Sequence, residues 1–81
     1  MLARETGGRE FSFTDADFER IRKMIYLLAG ISLGPVKRDM VYSRVARRLR
    51  ATGYTSFSAY LDALEGSEDE ESERFVNALT T

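Results

Sequence analysis

Lysine and arginine are the residues in this sequence best suited to do chemistry, and half of them lie within one short stretch. Six of the twelve lysine and arginine residues lie between positions 36 and 52, against a single acid, Asp39. Five of the six are arginines, whose planar guanidinium groups bind carboxylates and phosphates through paired hydrogen bonds. The pattern predicts a surface for an anionic partner. Helical spacing places these cations on the exposed side: Lys37, Arg44, Arg47, Arg48 and Arg50.

Two explanations of the basic stretch stay open on the residues alone. The stretch 65–73 carries six carboxylates, and salt bridges to it would make the basic side an ordinary solvated surface. The other explanation is an anionic partner: an acidic protein helix, a nucleic acid, or the phosphate of a nucleotide. The net charge of −1 argues against nucleic acid, because proteins that bind it are typically basic over a whole domain.

The residue types present exclude most catalytic chemistry. The sequence contains no histidine and no cysteine, which removes the usual general base, the commonest metal ligand and every thiolate. It also has no glycine-rich phosphate loop. The consecutive acids of 65–73 are typical of a solvated helix start, whereas catalytic carboxylates need a pocket. The sequence therefore predicts neither a catalytic centre nor a metal site.

A helix from Pro35 to Gly53 must position the cations. Proline suits the first position of a helix, and glycine adopts the left-handed conformation that ends one. Arg38 lies over the apolar side, where its stem can pack while its charged head reaches outward. The remaining apolar residues are expected to face a core: Val41, Tyr42, Val45, Ala46 and Leu49.

Three further helices are predicted around this one. The first is capped by Thr14 and runs to Ala29, and the third follows a cap at Thr55 or Ser56 and runs to about Glu65. The fourth begins with a capping box of Ser67 and Glu70. Their expected buried residues are Phe18, Ile21, Met24, Ile25, Leu27 and Leu28 in the first helix, Phe57, Tyr60, Leu61 and Leu64 in the third, and Phe75, Val76 and Leu79 in the last.

The fold class that follows is all-α, a small four-helix bundle-like domain over residues 13–81. No alternating strand pattern or hairpin turn is present in the sequence. Residues 1–12 are expected to be a flexible leader, although Phe11 or Phe13 can pack onto the first helix. The sequence has no apolar run long enough to cross a bilayer and no signal-peptide core. Its expected location is the cytoplasm.

Several segments together resemble the N-terminal helical domain of the chemotaxis receptor glutamate methyltransferases, the CheR family. The resemblance covers Phe13 to Thr81, and KRDMVYSR-x-x-RRLR-x-x-G at 37–53 is its most specific part. The closing NALTT belongs to it as well. The segments that carry the resemblance are FERIRKMIYLLAGISL, KRDMVYSRVARRLRATG, FSAYLDALEG and FVNALTT.

The resemblance implies a fragment of a chemotaxis signal-transduction enzyme. The family's enzymes transfer a methyl group from S-adenosylmethionine to glutamates on the cytoplasmic helices of chemoreceptors, using an α/β catalytic domain whose cofactor site would begin just after Thr81. On this basis the chain is expected to be truncated and inactive alone. It is also expected to expose an apolar patch near Arg38, Tyr42 and the last helix, to be covered by the methyltransferase domain.

The resemblance also gives the basic helix a role. In the family this helix docks on the acidic, glutamate-bearing receptor helix. The positions carried over are Lys37, Arg44, Arg47 and Arg50, with Arg48 beside them. The alternative is a stand-alone helical module that binds an acidic protein partner, nucleic acid or a nucleotide phosphate.

Overall fold

Four α-helices make up the architecture in the computed structural model, which describes residues 10–66 and 70–80. They are α1 (Asp15–Ala29), α2 (Arg38–Thr52), α3 (Phe57–Glu65) and α4 (Glu70–Thr80), and a 3₁₀ turn, Pro35–Lys37, precedes α2. No strand occurs in the described ranges, which confirms the all-α prediction. None of the described helices is long and apolar enough to span a membrane.

Helix α1 begins and ends where its sequence predicts. The Thr14 hydroxyl accepts a hydrogen bond from the backbone of Asp17 at 3.1 Å, and the Asp17 carboxylate accepts one from the backbone of Thr14 at 3.1 Å. Phe13 packs edge-on against Phe18, with ring centroids 6.2 Å apart. This contact is the hydrophobic staple that often accompanies a capping box. Gly30 ends the helix in the left-handed conformation, with φ of 69°.

The apolar stripe predicted for α1 was too wide at its C-terminal end. Phe18, Ile21, Met24 and Ile25 are buried, but Leu27 is 79% exposed and Leu28 is 45% exposed. Leu27 lies about 120° around the helix from Ile21, which turns its side chain to solvent. Leu28 is in line with the stripe but belongs to the last turn, at the rim of a depression beside α4.

Helix α2 starts one turn later than predicted. The residues Pro35–Lys37 form a 3₁₀ turn, closed by a 3.0 Å hydrogen bond from the Lys37 backbone N–H to the carbonyl of Gly34. Gly34 has no side chain to cap an α-helix, so the tighter turn fills the first positions instead. The other end matches the prediction: Gly53 has φ of 86° and its N–H donates to the Leu49 carbonyl at 2.8 Å.

The core forms where the inner face of α2 meets the other helices. The predicted inner residues Val41, Val45, Ala46 and Leu49 are all buried, and Tyr42 is half-buried beside them. These residues belong to one continuous apolar cluster. Its other fully buried large side chains are Ile21 and Ile25 from α1, Phe57, Tyr60 and Leu61 from α3, and Phe75 from α4.

The two C-terminal helices also follow the predicted pattern. The Ser56 hydroxyl caps α3 by accepting a hydrogen bond from the Ala59 backbone at 3.1 Å. In α4, Phe75 and Leu79 are buried and Val76 is half-buried. Ser67 of the predicted capping box lies outside the described residues.

The segment before α1 packs on an aromatic cluster. The Phe13 ring lies 4.7 Å from that of Phe57, and the Phe11 ring lies 6.3 Å from it. The Phe11 backbone N–H donates to the Tyr42 hydroxyl at 3.1 Å. Residues 10–13 therefore contact α2 and α3, and positions 1–9 of the predicted leader lie outside the described residues.

Candidate anion-binding surface on helix α2

The five predicted binding residues lie at three separate places in the structure. Arg44, Arg47 and Arg48 line one shallow depression together with Ala78 of α4. Lys37 lies on the 3₁₀ turn before α2, and Arg50 lies toward the N-terminal segment, where it pairs with Glu10. We call the first three residues the arginine cluster. The sequence predicted one continuous basic side, whereas the structure concentrates it in this cluster.

Arg48 forms a two-pronged ion pair with Glu71 of α4. Its Nε donates to one carboxylate oxygen at 2.8 Å and its Nη2 donates to the other at 2.6 Å. The Tyr60 hydroxyl of α3 donates to the same carboxylate at 2.6 Å. The Arg48 and Glu71 side chains are only 20% and 19% exposed. The contact therefore joins three helices in a setting that solvent screens weakly.

This network shifts the proton affinities of its members. Burial by itself would raise the pKa of Glu71, but the hydrogen bonds from Arg48 and Tyr60 outweigh it and the pKa falls below its usual value. Burial, followed by the hydrogen bond to Glu71, raises the pKa of Tyr60. The hydrogen bonds to Glu71 raise the pKa of Arg48. At neutral pH the pair is fully charged and Tyr60 keeps its proton.

Arg44 contacts the opposite end of α4. Its Nη1 donates to the Ala78 carbonyl at 3.0 Å. The last carbonyls of a helix lack partners within the helix and carry the negative end of its dipole, so a guanidinium is favoured there. Since Arg48 meets the start of α4 and Arg44 meets its end, α2 and α4 run antiparallel.

Arg47 is the most available member of the arginine cluster. It is exposed, and it forms no ion pair with residues 10–66 or 70–80. Lys37 is exposed in the same way. Arg50 pairs with Glu10 at 2.6 Å, but both side chains are about half exposed, and such pairs contribute only about 0–1 kcal/mol.

Arg38 has a structural role, since it joins α2 to the start of α1. Its Nη1 donates to the Asp15 carboxylate at 2.6 Å and its Nη2 to the Phe13 carbonyl at 3.2 Å. Its guanidinium carbon lies 5.1 Å from the centre of the Phe13 ring and 5.6 Å from that of Phe18. The stem packs on the apolar side and the head reaches outward, as the sequence predicts.

Sequence reasoning missed Glu71, which it grouped with the solvated acids of 65–73. A signal for its burial was present, because Glu71 precedes the buried Phe75 by four residues and the buried Leu79 by eight. This spacing puts all three on one face of a helix. The salt-bridge explanation of the basic stretch therefore applies to Arg48, while Arg47 remains open to solvent.

Within residues 10–66 and 70–80, the exposed large apolar side chains lie at two places. Tyr26, Leu27 and Leu28 are at the end of α1, and Val36 is on the 3₁₀ turn. Leu28 also borders a depression against α4, lined by Ser72, Glu73, Val76 and Asn77. Of the three places where an apolar patch was predicted, Arg38 and Tyr42 are half-buried, and the last helix contributes half-buried Val76 to this depression.

Three depressions among residues 10–66 and 70–80 are too open to enclose S-adenosylmethionine. One is the depression at the arginine cluster, another lies between α1 and the Ser32–Leu33 loop, and another lies between the C-terminal end of α1 and the first two turns of α4. All three are open to solvent and lined by a mixture of apolar and charged or polar groups. A nucleoside cofactor is normally buried over most of its surface, and none of the three depressions encloses one.

These features define a class of protein: a small all-helical domain that offers a cluster of arginines on one helix and anchors that helix through its core. Residues 16–80 match the family described as CheR methyltransferase, all-alpha domain. The chain belongs to this family.

Full-length relatives carry the name chemotaxis protein methyltransferase. The chain is 49% identical over 74 residues to the one from Salmonella typhimurium, covering 90% of this chain and 26% of that protein. It is 49% identical over 71 residues to the Escherichia coli protein, covering 86% of this chain and 25% of the relative. For chemotaxis protein methyltransferase 2 of Pseudomonas aeruginosa the identity is 47% over 75 residues, covering 93% and 26%. The chain thus spans about a quarter of the length of these relatives.

Proposed function

We propose that this chain is the substrate-recognition domain of a chemoreceptor glutamate O-methyltransferase that uses S-adenosylmethionine. In this proposal α2 docks on the acidic helix of the receptor that carries the glutamates to be methylated. The observation that supports it most is the arginine cluster, where Arg47 is exposed next to Arg44 at the rim of one depression. The family and the names of the relatives supply the methyltransferase part of the proposal.

The physics of exposed charges explains why several cations are needed. One solvent-exposed ion pair contributes only about 0–1 kcal/mol, so a single arginine would not hold a receptor helix. A group of cations raises the rate of encounter with an acidic partner and sets its register. Nearby positive charge also lowers the pKa of a glutamate, which keeps the target side chain ionised.

The proposal assigns recognition to this chain and chemistry to other parts of a longer enzyme. In this proposal the methyl-donor site and the transfer step belong to a methyltransferase domain in the same polypeptide. This chain alone is then inactive. Its partners are that domain and the cytoplasmic helices of chemoreceptors, which places its work in the cytoplasm.

An NMR titration of this chain with a glutamate-rich receptor-helix peptide tests the proposal. At low salt, we expect shifts of the backbone amides around Arg44 and Arg47 and of their side-chain N–H groups. At about 0.15 M salt, where the screening length is about 8 Å, the shifts should weaken. The same peptide with every glutamate replaced by glutamine is the control, and it should cause little change.

The titration also separates the competing functions. Absence of shifts with the acidic peptide at low salt would contradict recognition by this chain. An equal response to a DNA duplex of any sequence would favour the alternative, a stand-alone module for nucleic acid.

A further inference from the structure

We propose that Glu71 is a positioning residue for the arginines that face the receptor, acting through Arg48 and through the placement of α4. Glu71 itself makes no contact with the partner in this scheme. The inference rests on the proposed function, since it names how the binding surface of α2 is kept in shape.

The three like charges of the arginine cluster lie close together, and this is why a positioning acid such as Glu71 is needed. Arg44 and Arg48 are one turn apart on the same side of α2, and Arg47 lies between them at the same depression. Like charges at this spacing on a helix repel each other. Glu71 neutralises Arg48 with both carboxylate oxygens, and the carbonyl end of α4 offsets the charge of Arg44.

The two contacts of α4 are also mechanically linked. Glu71 lies in the first turn of α4 and Ala78 in its last, seven residues along the same rigid helix. Fixing Glu71 on Arg48 therefore fixes where the Ala78 carbonyl meets Arg44. If the Glu71 contact is lost, α4 has lost its anchor at the start, and the guanidinium of Arg48 is left without its counter-charge inside the arginine cluster.

A simple charge argument predicts the opposite outcome, and the difference makes the inference testable. Glu71 is an acid next to a surface proposed to bind an acidic helix, so removing its charge should strengthen binding if only net charge mattered. If Glu71 positions the arginine cluster, removing its charge should weaken binding instead.

The main test compares Glu71→Gln with Glu70→Gln in this chain. Both variants remove one negative charge from the first turn of α4, but Glu70 is exposed and pairs along its own helix with Arg74 at 3.3 Å. The dissociation constant for the glutamate-rich helical peptide is measured by titration at low salt. We expect Glu71→Gln to raise Kd about fivefold, or about 1 kcal/mol. Glu70→Gln should lower Kd by less than about twofold.

A second comparison separates positioning from simple loss of stability. Ile25→Val weakens the core on α1, a helix that contributes no residue to the depression of the arginine cluster, and it should leave Kd unchanged at a temperature where the variant is folded. Arg48→Lys keeps the charge but loses the two-pronged geometry, so it should raise Kd as Glu71→Gln does.

Each outcome bears on one claim only. If Glu71→Gln tightens binding as much as Glu70→Gln, or if Ile25→Val weakens it equally, the positioning inference is overturned while recognition by α2 stands. If the unaltered chain does not bind the peptide at low salt, the proposed function itself fails.

Discussion

Arg44 and Arg48, one turn apart on α2, meet opposite ends of α4: Arg48 bonds the Glu71 carboxylate in its first turn, and Arg44 bonds the Ala78 carbonyl in its last. The surface that offers the cations is therefore also the surface that attaches the C-terminal helix. Binding and folding share residues here, and variants of the arginine cluster must be interpreted with both roles in view.

The first prediction separates these roles by stability. Arg48→Ala leaves the largely buried Glu71 carboxylate without its ion-pair partner. It should lower the free energy of unfolding by about 2 kcal/mol, as expected for hydrogen bonds to a charged group. Arg47→Ala removes an exposed side chain and should change it by less than about 0.5 kcal/mol. Urea unfolding followed by circular dichroism measures both. If both variants lost the same free energy of unfolding, the distinction between a structural Arg48 and an exposed Arg47 would be contradicted.

The pH dependence of stability gives a second prediction. Because the pKa of Glu71 is lowered in the folded chain, its contribution is complete above the unfolded value of about 4.3 and is lost as pH falls through the folded value. The free energy of unfolding should therefore drop less between pH 7 and about pH 3 in Glu71→Gln than in the unaltered chain. Glu70→Gln, which removes an exposed acid from the same turn of α4, serves as the control. An equally steep drop in Glu71→Gln would contradict the account.

Much of the fold could be predicted because its signals are local. The caps at Thr14 and Ser56, the left-handed Gly53 and the apolar spacing of Val41, Val45 and Leu49 depend only on neighbours within a few residues. The late start of α2 was missed because Gly34 offers no capping group, and proline suits the first turn of a 3₁₀ helix as well as that of an α-helix.

The candidate site was harder to predict because its arrangement is not local. The residue types on α2 identified a cationic surface. The packing of α4 decides which of these cations form ion pairs within the fold. Only the structure gives the pairing of Arg48 with Glu71, which lie 23 positions apart in the sequence. Spacing alone also could not tell that Leu28, though in line with the apolar stripe, lies at the edge of the core and is partly exposed.

A third prediction concerns the left-handed turn after α2. Gly53 has φ of 86°, and an added Cβ would meet no atom within 4 Å, so only the backbone conformation opposes a side chain. Gly53→Ala should lower the free energy of unfolding by about 1 kcal/mol. Gly34→Ala is the matched control, since Gly34 is equally open but has φ of −86°. It should be neutral or slightly stabilising, and equal losses in thermal unfolding would refute the explanation.

A fourth prediction tests the corrected apolar face of α1. Ile25→Ala removes a fully buried side chain and should cost about 3 kcal/mol. Leu27→Ala removes a side chain that is mostly in solvent and should cost less than about 0.5 kcal/mol. Chemical denaturation of the two variants side by side decides the matter. A large loss in Leu27→Ala would mean that the side chain is buried against the bundle in solution.

The most direct test of the central claim is the affinity of the glutamate-rich receptor-helix peptide for Arg47→Gln and for Lys23→Gln. Both changes remove one exposed positive charge, but Lys23 lies on α1, outside the arginine cluster. We predict that Arg47→Gln raises Kd about fivefold at low salt, which is near the upper limit for one exposed ion pair. Lys23→Gln should change Kd by less than about twofold. Equal weakening by the two variants would show that only net charge matters, and would contradict recognition through α2.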